Sequence, residues 1–329
     1  MRVPLLDTFL TTFLTRTKAL ADPLRVDILR LLQRDSFGVL ELASMLGVPQ
    51  PALSHHLKLL LEAGLVTKRR DGTSIYYRRA ARAPGHGLDD YTASALAVID
   101  AVPLSGAMRG RVKKVHAERG DRSRAFFRSH AAEFGCQQAL ICPPEVYLGA
   151  VEELIDRACR RRRSALDVGV GEGRSLPLLA RRFARMTGID DSPQMLERAR
   201  EHVAGEHLDN VSLRLSDIGK LRGRFDLVLA SMVVHHSPSP GAFLQNARAL
   251  LAHDAALIVV ELCTHEQGWT RDACGDLWLG FEPEELDGWA EDAGLAAGES
   301  QYLAQRNGFR IQIRLYRQST LREISRETA

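Results

Sequence analysis

Residues 165–173 read Ala-Leu-Asp-Val-Gly-Val-Gly-Glu-Gly. A short apolar run enters three glycines at alternate positions, and a helix is predicted from Arg174 onward (Arg-Ser-Leu-Pro-Leu-Leu). Glycine lets the backbone turn tightly off a strand and leaves no Cβ to obstruct a ligand lying over the turn. The first turn of the helix presents free amide groups, which suit a polar or anionic ligand. A second apolar run, Met186-Thr187-Gly188-Ile189-Asp190, ends in an acid. An acid at the end of the second strand stands where a ribose hydroxyl pair is gripped.

Downstream, strand and helix patterns alternate as a doubly wound, mostly parallel sheet requires. Strands are expected near 165–169, 186–190, 211–215, 225–233, 256–262, 296–303 and 309–316, and helices near 174–184, 193–203, 241–251 and 282–293. The last two strands, around Asn307-Gly308, are expected to form an antiparallel end. A dinucleotide fingerprint G-x-G-x-x-G is not met, because Arg174, Ser175 and Leu176 follow Gly173 without the final glycine.

The blocks D-V-G-V-G-E-G, G-I-D-D-S-P-Q-M-L, S-D-I and F-D-L-V-L-A-S-M-V-V-H-H resemble the class I S-adenosylmethionine-dependent methyltransferases, over roughly residues 140–318. The resemblance implies a Rossmann-like fold that binds S-adenosylmethionine or S-adenosylhomocysteine. It places Asp167, Gly169, Gly171 and Gly173 under the methionine portion. Asp190 falls on the ribose, with Asp191 next to it, and Asp217 with Ile218 falls beside the adenine. Ser231 and Met232, at the end of the fourth strand, complete the expected cofactor set. Past strands four and five, the acceptor side offers Ser231, Met232, His235, His236, Glu261, Cys263 and His265. His235 or His236 is a candidate catalytic base, since imidazole titrates near neutrality; a His-His pair can equally cap the strand. At His253-Asp254-Ala255-Ala256 the sequence departs from the Pro-Gly-Gly turn of similar proteins, so that loop is expected to be shaped differently.

Upstream, a different pattern prevails. Leu6, Phe9, Leu10, Phe13 and Leu14 share one stripe of a helix over 5–20, and Asp22-Pro23 starts a second helix carrying Leu24, Ile28 and Leu31. Val39–Leu46, ended by Gly47, and Gln50–Ala63, closed by Gly64, form a helix-turn-helix. Val-Thr-Lys-Arg-Arg-Asp-Gly-Thr-Ser-Ile-Tyr-Tyr-Arg-Arg then reads as a basic hairpin turning at Asp71-Gly72. The words K-A-L-A-D-P-L-R-V-D-I-L-R-L-L, P-Q-P-A-L-S-H-H-L-K-L-L-L-E-A-G-L-V and R-R-D-G-T-S-I-Y-Y-R closely resemble the arsenic-repressor (ArsR) family of winged helix-turn-helix regulators, over about residues 15–115.

That resemblance implies a homodimer on an inverted-repeat operator in double-stranded DNA. It makes Gln50, Ser54, His55 and Lys58 candidates for groove or phosphate contact, and Arg69 and Arg70 candidates for the wing. Gln and Ser bond base edges, while Lys and Arg mainly neutralise phosphates. His56 reads rather as a structural residue packed against the wing. Gly38 and Leu40 stand where a metal-sensing member would carry thiolates, and Asp89, Asp90 and Asp100 on the expected dimer helix (88–102, with Leu96 and Ile99) are too few for a carboxylate site. No metal is therefore expected.

Charge divides the same way. Residues 1–120 hold 18 Lys+Arg against 11 Asp+Glu, net +7, whereas 121–329 hold 26 against 30, net −4. A basic front on a mildly acidic body suits a polyanion at the front. The 329 residues thus divide into a winged-helix DNA-binding and dimerisation domain with its connector (1–120) and a methyltransferase-like domain (121–329). Residues 83–87 read as a break, 109–124 as a basic connector that is a solvated helix in preference to a DNA contact, and 125–160 as helical, with Pro143-Pro144 at the start of a further helix. No apolar run suits a bilayer and no signal peptide is read at the N-terminus. Five cysteines without a C-x-x-C pair fit free thiols in a reducing cytoplasm, and binding of arsenite by Cys263 and Cys274 is the less favoured reading. Three readings of function follow: a regulator with the methyl donor or its product as effector, a small-molecule methyltransferase that also binds its operator, or an enzyme whose winged helix serves only docking or dimerisation.

Overall fold

A computed structural model describes residues 4–80 and 87–319, the side chains of residues 4–7 and Ala132 excepted. Leu6 as a stripe residue, and all of the 83–87 break but Gly87, lie outside the described residues. The chain separates into two compact units, Met1–Glu118 and Arg119–Ala329.

In the first unit α1 (Pro4–Leu20), α2 (Pro23–Leu31), α3 (Val39–Leu46), α4 (Gln50–Glu62) and α5 (Leu88–Asp100) surround a small sheet. Helix α2 starts where Asp22 accepts the Arg25 amide at 2.9 Å, an N-cap that satisfies an otherwise orphaned donor. Strands β2 (Val66–Asp71) and β3 (Ser74–Arg79) make the expected hairpin, and β1 (Phe37–Gly38) adds to β3. The spacing of Ile28, Leu29, Leu42, Leu53, Leu57 and Leu60 brings all six into one core. Phe9, Leu10 and Leu14 of the α1 stripe remain exposed, as do Val98 and Val102 at the end of α5.

The second unit holds a seven-stranded sheet in the order β6-β5-β4-β7-β8-β10-β9 among the described residues. Its strands are β4 (Ser164–Val168), β5 (Arg185–Asp190), β6 (Val211–Leu215), β7 (Phe225–Ser231), β8 (Leu251–Leu262), β9 (Leu295–Ala304) and β10 (Arg310–Gln318). The first five in that order run parallel, and β10 is antiparallel to both neighbours, the antiparallel end anticipated. Strand order reverses between β4 and β7, and in such sheets the crevice beyond the carboxyl ends of those strands receives ligands. Leu227, Leu229, Ile258, Val260, Ile311 and Ile313 pack against Val151, Leu154 and Ile155 of α7 (Pro144–Ala158).

Helix α6 (Gly106–Ile141) contains the border between the units. Its Val115 is buried in the first core, and its Ala131 and Phe134 in the second. The basic stretch 109–124 is helix, as read, but it is not solvated throughout. Arg119 within it is 2% exposed, lies 4.8 Å from the Trp278 ring and donates to the Pro238 carbonyl at 3.0 Å.

Two other elements differ from expectation. The helix after the glycine turn is only α8 (Leu176–Ala180), because the Ala184 and Arg185 amides already bond the Arg162 and Arg163 carbonyls ahead of β5. The loop expected at 253–256 is instead part of β8: Asp254 adopts φ +61° and the register against β7 shifts between Phe225 and Leu227, a bulge that absorbs the extra residues.

Candidate functional site

At the switch point lies a cavity of about 310 Å³, within the range of small-molecule sites. Of the cofactor residues read from the sequence, Asp167, Gly169, Gly171, Asp190, Asp191, Asp217, Ile218, Ser231 and Met232 line it. Gly173 does not; a Cβ there would meet Leu176 and Ala199 at 3.0 and 3.6 Å, so it serves close packing of the turn on α9 (Pro193–Gly205). Met232 holds φ +52° at the end of β7, a backbone state costly for a non-glycine residue and commonest at functional sites.

Asp190 ties the site together. One carboxylate oxygen accepts the Gly171 amide and the other the Ser192 amide, each at 2.9 Å. A carboxylate offers about four acceptor positions, so each oxygen keeps one toward the cavity. Burial lifts this carboxyl to about 6, against the pull of those two amides. Burial lifts Asp167 further, to about 7, while the Ser175 hydroxyl bonds it. Asp191 lies 3.8 Å from Arg124, and Asp217 accepts the Gly219 amide at 2.7 Å. A vicinal diol suits Asp190, and the open space at Gly171, where a Cβ would meet nothing closer than 4.0 Å, leaves room for a ligand over the turn.

The two candidate bases have unlike surroundings. His236 lines the cavity and His235 does not. His235 Nδ1 meets Glu261 Oε2 at 2.7 Å and its Nε2 lies 3.6 Å from Asp276. Burial opposes its charge, but the two carboxylates prevail and lift it to about 9. It is thus protonated near neutrality and is no base there. Burial, reinforced by the charge of His235, holds His236 well below the usual range. Its Nδ1 faces the Gly275 carbonyl at 3.2 Å, which assigns the proton to Nδ1 and leaves the buried Nε2 without a partner. Glu261, Cys263 and His265 also stand off the cavity lining. The five cysteines are free, and burial raises the Cys263 and Cys274 thiols, the latter to about 12. Their thiolates are disfavoured.

The sequence reading missed the far wall of the cavity: Phe127 and Phe134 of α6, and Tyr147 of α7. Phe127 stands edge-on to His236 with centroids 5.0 Å apart. Only the i, i+7 spacing of Phe127 and Phe134 marked that pair, and nothing local marked Tyr147.

In the first unit Gln50, Ser54, His55 and Lys58 lie exposed along α4, with Lys58 3.8 Å from Glu62. His56 is half-buried, with its Nδ1 3.5 Å from Asp22 Oδ1. On β2 the pleat separates the two arginines. Arg70 is exposed with Lys68, whereas Arg69 is turned to the other face, 3.1 Å from the buried Asp71. The two-residue period of a strand carried that signal.

Two family models match the chain, "Methyltransferase domain" over residues 161–286 and "Bacterial regulatory protein, arsR family" over 22–68. The HTH-type transcriptional repressor SmtB of Mycobacterium tuberculosis is 42% identical over 78 residues, 24% of this chain and 58% of that protein. The ubiquinone biosynthesis O-methyltransferase of Coxiella burnetii is 27% identical over 149 residues, 40% of this chain and 63% of that protein. The chain thus spans less than two thirds of either relative. The 1,6-didemethyltoxoflavin-N1-methyltransferase of Burkholderia thailandensis shares the fold of the second unit, with a TM-score of 0.50 at 19% identity over 67% of this chain and 93% of that one. Among the described residues no helix is long and apolar enough to cross a membrane.

Proposed function

The chain joins an arsR-family helix-turn-helix module to a methyltransferase domain, and from that premise we propose that it is a DNA-binding transcriptional regulator whose second domain binds S-adenosylmethionine or S-adenosylhomocysteine as effector. The observation that carries this reading is Asp190, fixed by two backbone amides with acceptor capacity left toward the cavity. Its carboxylate holds the ribose hydroxyls, Gly169 and Gly171 floor the methionine portion, and Asp217 with Ile218 borders the adenine. When bound, the donor supplies a methyl group on a sulfonium. Regulation requires that the ligand bind the free and DNA-bound forms with unequal affinity. Helix α6 gives Val115 to one core and Phe127 and Phe134 to the cavity wall, so a ligand that reorders the wall acts on a helix both units use.

DNA contact falls to the exposed face of α4, through Gln50, Ser54, His55 and Lys58, and to Lys68 and Arg70 on the wing. The exposed Phe9, Leu10, Leu14, Val98 and Val102 supply apolar surface for a homodimer on an inverted repeat. Replacing both Lys68 and Arg70 by Ala is expected to weaken binding to every duplex and to reduce the salt slope by about 2. Retardation assays across a salt series read this out; an unchanged slope contradicts the wing assignment. Arg69→Ala, which breaks a partly buried pair, is expected to lower stability and leave the slope alone.

A second reading, turnover of a small-molecule acceptor, is favoured by the aromatic wall past the glycine turn, where Phe127, Phe134, Tyr147 and His236 surround space beyond the donor's residues. Calorimetry with donor and product, run beside a labelled-methyl turnover assay, separates the two: tight binding without consumption supports the effector reading, and consumption supports the enzyme. Absence of binding to either compound contradicts both.

A further inference from the structure

One buried cluster has polar atoms that neither the fold nor the proposed ligand uses. We propose that His235, His236 and Asp276 bind a divalent transition-metal ion of the zinc(II), cobalt(II) or iron(II) kind, with Glu261 orienting His235 from behind.

The three residues are 2%, 9% and 3% exposed, and one donor atom of each lies within 4.8 Å of the other two. Glu261 is held in place by the Val234 amide at 2.7 Å and the Leu262 amide at 3.2 Å, and it receives His235 Nδ1 at 2.7 Å. A carboxylate behind one ring nitrogen turns the other nitrogen to a metal, the arrangement common behind metal-bound histidines, and the entering ion displaces the Nε2 proton that His235 carries as a cation, releasing it to solvent. That other nitrogen, Nε2, faces Asp276 Oδ1 at 3.6 Å, too far for a hydrogen bond and open enough for an ion to enter between them. The Gly275 carbonyl does for His236 what Glu261 does for His235, taking Nδ1 at 3.2 Å and freeing Nε2. His236 Nε2 is buried without a hydrogen-bond partner, and the buried Asp276 carboxylate has only the Thr270 hydroxyl as a neighbouring donor, outside good hydrogen-bond geometry. Such orphaned groups are costly unless something fills the gap between them.

The backbone presents these groups together. The Leu277 and Trp278 amides both donate to the His235 carbonyl at 3.1 Å, which pins the segment carrying Asp276 to the histidine turn. Ion-to-ligand distances of about 2.0–2.2 Å require the donor atoms to close in modestly, which side-chain rotation supplies. Two imidazoles and one carboxylate favour borderline ions over magnesium or calcium, which prefer all-oxygen sets. Histidine 236 places the ion at the cavity wall, where a coordination position is left for a ligand. The 40-residue gap to Asp276 matches no short metal motif, so the set is invisible to spacing.

The test uses the full-length chain, stripped with chelator and titrated with Co(II), then with Zn(II) as competitor. One equivalent is expected, with the visible absorption of a four- or five-coordinate cobalt site that Zn(II) abolishes. His236→Gln and Asp276→Asn should each weaken cobalt binding at least tenfold, and Glu261→Gln by about 10–100-fold, with circular-dichroism melts confirming that each variant folds. His236→Gln preserves size and carries the test if an acid variant fails to fold. Absence of a stoichiometric site overturns the proposal and leaves a water as the bridging group. Binding that survives both His236→Gln and Asp276→Asn, as through surface histidines, overturns it as well.

Discussion

Asp190→Ala is expected to weaken S-adenosylmethionine binding on the order of 100-fold or more while the chain still folds. Each ribose hydroxyl donated to a charged acceptor contributes about 1.5–3 kcal/mol, and two such bonds are lost together. The Gly171 and Ser192 amides lose their acceptor too, which loosens the turn on which the donor lies. Asp190→Asn keeps one acceptor oxygen and should fall between. The same residue sets a pH dependence. Because burial lifts its carboxyl to about 6, the ionised acceptor dominates above that value and is lost as pH falls through it. The Asp190 contribution should hold above about pH 6.5 and be roughly tenfold weaker at pH 5, and the Ala variant should show a smaller dependence. Burial, with the charge of Asp190 added, lifts Asp167 to about 7, so its own titration moves down in the Ala variant, and the part of the pH dependence lost there belongs to Asp190 and its coupling to Asp167. Calorimetry at the two pH values measures both effects; wild-type affinity in the Ala variant removes Asp190 from the ribose.

Gly169→Ala carries the largest expected effect on stability. The residue holds φ +66°, and an added Cβ would stand 2.2 Å from Val233 Cγ2 and 2.9 Å from its Cβ. The left-handed backbone costs an L-residue about 1–2 kcal/mol, and overpacking of a buried site adds about 1–3. A loss of about 2–5 kcal/mol lowers the melting temperature of a unit this size by about 5–20 °C. Val233→Ala in the same chain removes the 2.2 Å contact and leaves the Cβ at 2.9 Å, so it should relieve most of the steric part and none of the backbone part, and the two changes will not add. Gly171→Ala is the contrast: with open space around it, stability should change less while ligand binding suffers. Equal melting temperatures for wild type and Gly169→Ala would show that the turn relaxes freely.

The strand-turn-helix opening and the cavity position of Asp190 were legible because a glycine-rich turn and an acid ending the next strand leave local marks. The antiparallel end of the sheet and the exposed polar face of α4 followed from period and turn chemistry. What stayed hidden was set by distance. His235 and His236 are adjacent and chemically identical in sequence, yet Glu261 and Asp276 make one a cation and leave the other neutral. Residue by residue, α6 reads as a basic amphipath of no fixed face, and only packing shows Arg119 against Trp278 and Phe127 in the cavity wall. The bulge at Asp254 was visible as an anomaly, but whether a loop or a strand absorbed it depended on pairing with β7.

The account depends most on linkage between the two units. Its direct test is the affinity of the full-length chain for its upstream duplex at fixed salt, measured with S-adenosylmethionine, with S-adenosylhomocysteine and with neither. At least one of the two is expected to shift the DNA dissociation constant by fivefold or more, a coupling of about 1 kcal/mol, and Asp190→Ala should abolish the shift. Superimposable titrations under saturating ligand, with binding of that ligand verified, would contradict it.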